Sequence, residues 1–478
     1  MVQRISAFVV RNTQPERIIA DMKTIRIGNA AGFWGDNLDS PRLLAEAGQL
    51  DYLTLEYLAE LTMSILAHQQ SRHPGAGYVT DFPMVLDSLL PALKAQPKLA
   101  IVTNAGGMNP SSCAVKAAES FAAAGLHDVP IAIVTGDNLF ANLDEHIAAG
   151  ETFNNLETGK PLSDVKPQTI SANAYLGARG IVDVLAAGAR IVITGRVADA
   201  SLTLGPAIHE FGWSWDDWDR LASATVAGHL IECGAQSTGG MYSDWNESDS
   251  LADVGYPIVE LSEDGALVIT KPPGTDGAVT VGTVAEQLVY EIGDPAHYLT
   301  PDVDVDFSNV ELVEEAADCV RVSGARGNPP PDSYKVSLAY SDGYMVSGTL
   351  VICGPNATAT ARRCGEMIVA RVRRGGFELS RTNIECLGAG DSSPGIVKTD
   401  GNPWEVVMRL TAHDASREAV DRLSRELAPL VTSGPPGVTG YTGGRPKPRP
   451  VLAYWPTTIA RDRISAVTSI KTVGEWLS

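Results

Sequence analysis

Short apolar runs recur through the first half of the chain, with helical patterns between them. Each run ends in glycine or small polar residues, and the runs lie at residues 24–27, 51–58, 98–103, 131–135 and 190–194. Aliphatic runs that alternate with helices are typical of a parallel sheet whose two faces are covered by helices. The pattern therefore predicts an α/β domain over residues 1–250.

The pattern changes past residue 250, where the strand-like runs alternate polar and apolar residues. Residues 333–354 predict a strand, a turn at or near Asp342-Gly343, and a second strand. Helical patterns follow over residues 358–373 and 419–427. Hairpins combined with helices predict an α+β second domain over residues 251–478.

The composition restricts the partners and the compartment. The chain has 37 basic and 57 acidic side chains, a net charge of −20, which disfavours nucleic acid and anionic membrane surfaces as partners. Its six cysteines form no CxxC pair, so reduced thiols are expected. Residues 1–16 lack the apolar segment of a signal peptide, and we see no apolar run of roughly 18 residues that could span a bilayer. We therefore expect a cytoplasmic protein.

Polar and glycine residues gather where the predicted strands end, at V-T-N-A-G-G, V-T-G-D-N and I-T-G-R-V. Ligands of α/β sheets bind beyond the carboxyl ends of the strands. This position makes Asp137 a catalytic candidate and several neighbours substrate-binding candidates: Asn104, Gly106, Gly107, Arg196 and Asp199. The planar guanidinium of Arg196 suits a substrate carboxylate, although an ion pair with Asp199 is the alternative. Glycine and asparagine also end strands and cap helices without any further function.

Carboxylates follow the second predicted strand as well, at Glu56, Glu60 and Asp81. Carboxylates at strand ends suit acid–base work, whereas solvated pairs without a role are also common.

The glycines at positions 28, 32 and 35 follow the first strand. Their spacing matches neither the dinucleotide-binding GxGxxG motif nor the P-loop, so a nucleotide is not favoured. A tight turn that lets a ligand or a helix approach the backbone is the better interpretation, and it makes Gly32 a substrate-binding candidate.

Residues 228–242 hold the densest set of reactive groups. A helix over residues 225–233 places His229 and Cys233 on one face, with Glu232 beside them. Glu232 is the candidate general acid or base, and the next loop offers backbone N–H groups to a substrate at Gln236, Thr238 and Gly239.

Other interpretations of this segment stay open. Cys233 could be a nucleophile that His229 activates, and the helix could simply bury one satisfied carboxylate. A metal site is not favoured because the residue order differs from HExxH and too few ligands are evident. The cofactor, if any, is unassigned.

Six segments resemble the family of acyclic terpene utilisation proteins of the AtuA type: IRIGNAAGFWGDN, DYLTLEYLAELTMSIL, VTNAGGMNP, ITGRVADASLTLGP, GHLIECGAQSTGG and EQLVYEIGDPAHYLTPDVDVDF. The resemblance covers roughly residues 22–456. It implies a role near the bacterial degradation of citronellol and geraniol, and it implies the α/β fold. Family members carry a ferredoxin-like domain at the C-terminus or as a separate small protein. Because this chain ends soon after its YWPT segment, we expect a small ferredoxin-like partner subunit.

Three functions remain on this basis. The first is a lyase or hydratase that acts on a small organic acid or its acyl-CoA ester. The second is a hydrolase of an amide, ester or thioester with Cys233 or water as nucleophile. The third is a non-catalytic scaffold that binds an acyl-CoA or a partner enzyme. A homo-oligomer is expected because cytosolic enzymes commonly form one.

Overall fold

A computed structural model describes residues 22–247, 250–396, 402–439 and 443–478. Residues 1–16, from which the absence of a signal peptide was predicted, lie outside the described residues.

Strands and helices alternate along the described chain. The strands are β1 (Thr24–Asn29), β2 (Tyr52–Leu55), β3 (Ala100–Thr103), β4 (Pro130–Thr135), β5 (Thr169–Ala174), β6 (Ile191–Thr194), β7 (Ile258–Ser262), β8 (Leu267–Thr270), β9 (Tyr298–Leu299), β10 (Asp304–Asp306), β11 (Glu311–Ala316), β12 (Cys319–Ser323), β13 (Arg326–Asn328), β14 (Ser333–Cys353), β15 (Arg381–Leu387), β16 (Glu405–Asp414), β17 (Val438–Thr439), β18 (Arg449–Ala460) and β19 (Val467–Thr472). The α-helices are α1 (Ser40–Ala47), α2 (Glu60–Arg72), α3 (Asp81–Ala95), α4 (Pro110–Ala123), α5 (Leu143–Ala148), α6 (Arg179–Ala186), α7 (Ser201–Phe211), α8 (Trp218–Glu232), α9 (Val281–Val289), α10 (Ala357–Arg374), α11 (Arg417–Glu426), α12 (Leu430–Ser433) and α13 (Val473–Trp476).

The chain divides into two compact units. The first comprises the described residues of 1–164, 170–338 and 454–478, and the second those of 165–169 and 339–453.

A large mixed sheet forms the first unit. Its strand order among the described residues is β11-β12-β8-β7-β1-β2-β3-β6-β4-β19. The central strands β1, β2, β3, β6 and β4 are parallel, as the alternation of strands and helices predicts. The flanking pairs β1–β7, β7–β8 and β4–β19 are antiparallel. A short turn joins β7 to β8, and short turns connect antiparallel neighbours. The fold is therefore α/β with a mixed rather than a purely parallel sheet.

Helices cover both faces of this sheet. Side chains of β2, β3 and β6 are buried at every position, which explains their continuous apolar runs. Ile101 packs on one face with residues of α1, α3 and α4, and Val102 packs on the other with residues of α6, α7 and α8. The covered faces leave the strand ends as the place where polar groups converge.

The second unit packs α10 and α11 against strands in the order β15-β16-β14-β17. The predicted hairpin over residues 333–354 is wrong, because β14 is one strand of 21 residues. Gly343 has a φ of +76° inside this strand, so the Asp-Gly pair introduces a local left-handed residue without reversing the chain. Residues Tyr344–Cys353 then pair with all of β16, which satisfies the backbone that a hairpin would have paired within itself.

Candidate active site

A cavity of about 870 Å³ opens in the first unit beyond the carboxyl ends of the parallel strands. Gly32 follows β1, Glu56 follows β2 and Arg196 follows β6, so three of the parallel strands supply its floor, with β3 between β2 and β6. This is the position that the fold class predicts for a ligand. Its polar lining consists mainly of carboxyl, hydroxyl and cationic side chains: Asp36, Glu56, Glu60, Tyr175, Arg196, Asp199, His229, Glu232, Cys233, Gln236, Tyr256, Tyr290, Glu291, Tyr298, Thr300, Ser333, Tyr334, Lys335 and Thr458.

Arg196 is the buried cation of the floor, with only 2% of its side chain exposed. Its Nη1 donates to the carbonyl of Leu58 at 3.0 Å and lies 2.8 Å from Oδ1 of Asp199. The guanidinium also lies 4.1 Å from the ring centroid of Tyr175. The ion pair considered from the sequence is therefore present, and Arg196 is held on several sides.

Glu56 lies behind Arg196 and is almost completely buried. Its carboxyl group accepts from the backbone N–H of Leu58 at 2.8 Å and from Nδ2 of Asn104 at 2.5 Å. Burial, followed by the charge of Asp199, raises the pKa of Glu56 well above its usual value, against the opposing effect of Arg196. Asn104 also accepts from the backbone N–H of Tyr57 at 2.9 Å, so it fixes the loop after β2 rather than facing the cavity.

Asp137 lies behind the residues that line the cavity, next to the backbone of Arg196. Its Oδ2 accepts from the backbone N–H of Arg196 at 3.0 Å and from Nδ2 of Asn173 at 2.8 Å. Burial raises the pKa of Asp137 to about 6, although these donors and Arg196 oppose that effect. The contacts assign Asp137 to positioning the backbone of Arg196, since it does not line the cavity.

The carboxyl end of α8 supplies the acid–base pair of the site. Oε1 of Glu232 lies 3.2 Å from Nδ1 of His229, which is one helical turn earlier. Burial, together with the charges of Asp199 and Glu291, raises the pKa of Glu232 well above its usual value. Burial lowers the pKa of His229. Both shifts favour the uncharged pair, in which the Glu232 carboxyl shares a hydrogen bond with the neutral imidazole.

Cys233 comes directly after Glu232 in the chain. It is half-buried and lines the cavity. Burial, followed by the charge of Glu232, raises the pKa of the Cys233 thiol far above its usual value. The thiol therefore stays protonated at neutral pH, which is the opposite of an activated nucleophile.

The turn after β1 packs against this helix end. A β-carbon at Gly32 would lie 2.5 Å from the backbone nitrogen of Gly234 and 2.7 Å from the carbonyl carbon of Cys233. Asp36 then fixes the turn, because its Oδ2 accepts from the backbone N–H of Gly32 at 2.8 Å and its Oδ1 from the hydroxyl of Tyr256 at 2.6 Å. The expected tight turn is confirmed, and the approaching backbone is that of residues 233–234.

A second ion pair lies in the cavity wall. Oε1 of Glu60 accepts from the Tyr175 hydroxyl at 2.7 Å and from Nζ of Lys335 at 2.9 Å. These contacts and the charge of Lys335 outweigh burial and lower the pKa of Glu60 to about 2. The side chains of Lys335 and Glu60 are 47% and 34% exposed, respectively. An ion pair this exposed contributes only about 0–1 kcal/mol.

Apolar side chains form a collar around the cavity. Phe33, Leu156, Met241 and Leu299 all line it, and each is more than half exposed. Met241 also has a φ of +60°, and Glu291 in the same wall has a φ of +61°. Non-glycine residues in the left-handed region are strained and recur at ligand sites. The cavity thus combines a polar floor with an apolar collar.

The structure brings together about half of the residues predicted from the sequence. Seven of them line the cavity: Gly32, Arg196, Asp199, His229, Glu232, Cys233 and Gln236. Six others do not: Asn104, Gly106, Gly107, Asp137, Thr238 and Gly239.

Close packing explains four of the residues that do not line the cavity. A β-carbon at Gly106 would lie 2.5 Å from the carbonyl oxygen of Thr194, and Gly107 has a φ of +50°. Thr238 is buried, and Gly239 ends the short 3₁₀ turn Gln236–Thr238 with a φ of +113°. These positions therefore shape the loops around the site.

Lys335, Tyr175, Tyr298 and Glu291 were not predicted. Lys335 lies near the start of the long strand β14, in a segment that was predicted to form a hairpin. Tyr175 follows β5, a strand that was not predicted. No sequence motif marks these residues, so only the assembled sheet brings them to the cavity.

Metal-ligating side chains do not cluster in this site. Across the part of the chain that the structure describes, no group of three or more His, Cys, Asp or Glu side chains is arranged to hold a metal ion. Within the same residues, none of the helices is both long and apolar enough to cross a membrane.

The fold and the cavity define an α/β protein with a strand-end site in which buried carboxyl groups surround an arginine. The model of the acyclic terpene utilisation family protein AtuA matches residues 25–470 of the 478-residue chain. The chain therefore belongs to this family. Neither a curated protein nor a solved structure matches it.

Proposed function

We propose that the chain is a catabolic enzyme that performs acid–base chemistry on a small organic acid or its acyl-CoA ester. Membership of the acyclic terpene utilisation family supports the metabolic role. The proposed reaction adds or removes water, or splits a C–C bond, beside the carboxylate or thioester. The site is the cavity at the carboxyl ends of β1, β2 and β6.

The meeting of Glu232 with Asp199 in one cavity carries this proposal. A hydratase or lyase needs one group that gives a proton and one that takes it. Glu232 has the character of the acid, because burial raises its pKa and it lies in the cavity at hydrogen-bond distance from His229. Asp199 has the character of the base, because it is paired with Arg196 and its side chain is 34% exposed. Neighbouring carboxyls with different environments divide acid and base roles in this way in other enzymes.

The remaining residues have supporting roles in this proposal. Arg196 fixes Asp199, and Asp137 with Asn173 fixes the backbone of Arg196. Gln236 and Gly32 contribute to substrate binding from the turn next to Glu232.

A hydrolase is the second candidate, because Cys233 lies in the cavity wall. The raised pKa of its thiol weighs against a nucleophilic role, so a bound water is the better nucleophile for that reaction. A non-catalytic acyl-CoA-binding scaffold predicts binding in the same cavity without turnover.

The proposal extends to the assembly. We propose a homo-oligomer, and a small ferredoxin-like subunit as partner. Size-exclusion chromatography of the lone chain against a co-expressed pair tests both, since each association increases the eluted mass.

A thermal-shift screen tests the proposed function. Short and branched-chain acids and acyl-CoA esters are added separately, and mixtures that raise the melting temperature are incubated and analysed by mass spectrometry. The proposal predicts stabilisation by at least one compound followed by a change in its mass. Stabilisation without a product supports the scaffold instead, and no stabilisation across the panel contradicts a role for the cavity in binding these acids or esters.

A further inference from the structure

Two cations line the cavity among the described residues, Arg196 and Lys335. The carboxyl groups in the same lining are more numerous: Asp36, Glu56, Glu60, Asp199, Glu232 and Glu291. A carboxylate ligand therefore needs one of these two cations, because the other lining residues offer no positive charge and the ionised carboxylates among them repel it. The two cations differ in the N–H donors that they can present to such a ligand.

Arg196 can meet a ligand only in the buried floor of the cavity. Only 2% of its side chain is exposed, and its Nη1 is already shared between Leu58 and Asp199, although its Nε has no hydrogen-bond partner. A ligand carboxylate at Arg196 has to displace Asp199 or join it beside the buried Glu56. Both routes place an additional negative charge where burial already penalises the ionised form of Glu56.

Lys335 differs from Arg196 in exposure and in donor capacity. Nearly half of its side chain is exposed, and its Nζ lies 4.6 Å from the ring centroid of Tyr175. An ammonium group has three N–H donors. Glu60 accepts one of them at 2.9 Å and the Tyr454 hydroxyl accepts another, so one remains for a ligand. Glu60 is itself one-third exposed, and an ion pair this exposed contributes little free energy. A ligand carboxylate can therefore bind Lys335 beside Glu60 without a large loss of stability.

We propose that Lys335 binds the carboxylate of the organic-acid ligand, sharing its ammonium group with Glu60, while Arg196 is a positioning residue for Asp199. This inference rests on the proposed function, which supplies the acid. Recognition of the carboxylate is thereby assigned to the charged cavity wall at the start of β14, and not to the apolar collar. In this proposal Glu60 competes with the ligand carboxylate for the Lys335 ammonium group and does not transfer a proton.

Calorimetric titration with 3-methylbutanoate and its uncharged amide tests this assignment. The wild type should bind the acid more tightly than the amide. Lys335→Met should weaken binding of the acid at least tenfold and leave binding of the amide within twofold, while Lys335→Arg should retain most of the affinity. Glu60→Gln should tighten binding of the acid severalfold, because it removes the competing carboxylate and keeps a partner for the Tyr175 hydroxyl.

Lys116→Met is the matched control. Lys116 is also 47% exposed and also pairs with a glutamate, Glu119 at 2.7 Å, but it lies on α4 outside the cavity lining. This variant should bind both compounds like the wild type.

The outcomes separate the two proposals. Tight binding of the acid that is unchanged in Lys335→Met and in Glu60→Gln overturns the role of Lys335 and leaves the acid-binding function standing. A wild type that binds the amide as well as the acid, or binds neither compound, overturns the role of Lys335 in binding a carboxylate. The proposed function then depends on the thermal-shift panel, which also contains the uncharged acyl-CoA esters.

Discussion

Burial governs the chemistry of single residues in this cavity. Glu56 and Glu232 lie close enough to Asp199 for its charge to raise the pKa of both. Their environments differ, because Asn104 and a backbone N–H satisfy Glu56, whereas Oε2 of Glu232 has no hydrogen-bond partner. An unsatisfied buried oxygen is costly unless a ligand or water completes it. Glu232 is therefore the carboxyl that gains most from a bound substrate.

Cys233 gives a prediction that separates the lyase or hydratase from a thiol hydrolase. Because burial keeps its thiol protonated, iodoacetamide at neutral pH should modify Cys233 no faster than an ordinary exposed cysteine. Cys233→Ser should retain turnover within about threefold. Rapid alkylation with matching loss of activity, followed by mass spectrometry, contradicts this account.

Asp137 predicts a specific dependence of stability on pH. Its pKa is about 6 in the folded chain against a model-peptide value of 3.8, so the folded state holds the proton more strongly between these values. Stability therefore falls as pH rises from about 4 to about 6, by up to about 3 kcal/mol, because ionising the buried group opposes folding. Asp137→Asn cannot titrate, so its free energy of unfolding relative to the wild type should rise across this window.

Urea denaturation of both proteins at pH 4, 5, 6 and 7 measures the difference. Other buried carboxyls titrate equally in the two proteins and cancel. A constant difference across the window contradicts the raised pKa of Asp137.

At the scale of elements, the backbone of the turn after β1 packs directly against the backbone that follows α8. Gly32→Ala adds a β-carbon 2.5 Å from the nitrogen of Gly234, and backbone atoms cannot rotate away. The variant should lose about 1–3 kcal/mol of unfolding free energy and weaken ligand binding, because Glu232 lies at the same helix end.

Gly75→Ala is the control for this change. A β-carbon at Gly75 meets nothing within 4 Å, so this variant should be neutral or slightly stabilised in chemical denaturation. Equal stability of the two variants contradicts the close contact.

The same elements show what the sequence can predict. All five apolar runs of the first half form strands. Local patterns suffice there because burial on both faces requires continuous apolar residues. The Asp342-Gly343 pair misled the prediction, since the pairing of β14 with β16 overrides a local turn preference.

At the scale of the whole molecule, the site depends on contacts between distant segments. Glu60 and Lys335 are 275 residues apart, and Glu56 and Arg196 are 140 apart in the numbering, so no local motif could predict the pairs. A strand end or a helix end marks Arg196, Glu232 and Gly32 in the sequence, and all three line the cavity. No such mark points to Lys335, which reaches the cavity only in the assembled fold.

The apolar collar gives a prediction at this scale. Four separate segments contribute Phe33, Leu156, Met241 and Leu299, and their exposure suits the hydrocarbon part of a ligand. Met241→Ser and Leu299→Ser should each weaken binding of octanoate roughly fivefold, from the lost burial of apolar area, and leave butanoate unchanged.

Met84→Ser is the matched control in this titration. Met84 is 55% exposed on α3 and does not line the cavity, so both acids should bind this variant normally. Equal losses for both acids in the collar variants contradict a role in binding the hydrocarbon part.

We propose that Glu232 transfers a proton to or from a ligand in this cavity. The most direct measurement incubates the wild type and Glu232→Gln with the acids and acyl-CoA esters in D₂O and follows their mass. The account predicts that the wild type adds deuterium or heavy water to at least one compound, and that Glu232→Gln binds the same compound but changes it at least about 100-fold more slowly. A wild type that binds a compound and never alters its mass, or a Glu232→Gln variant that keeps the wild-type rate, contradicts the account.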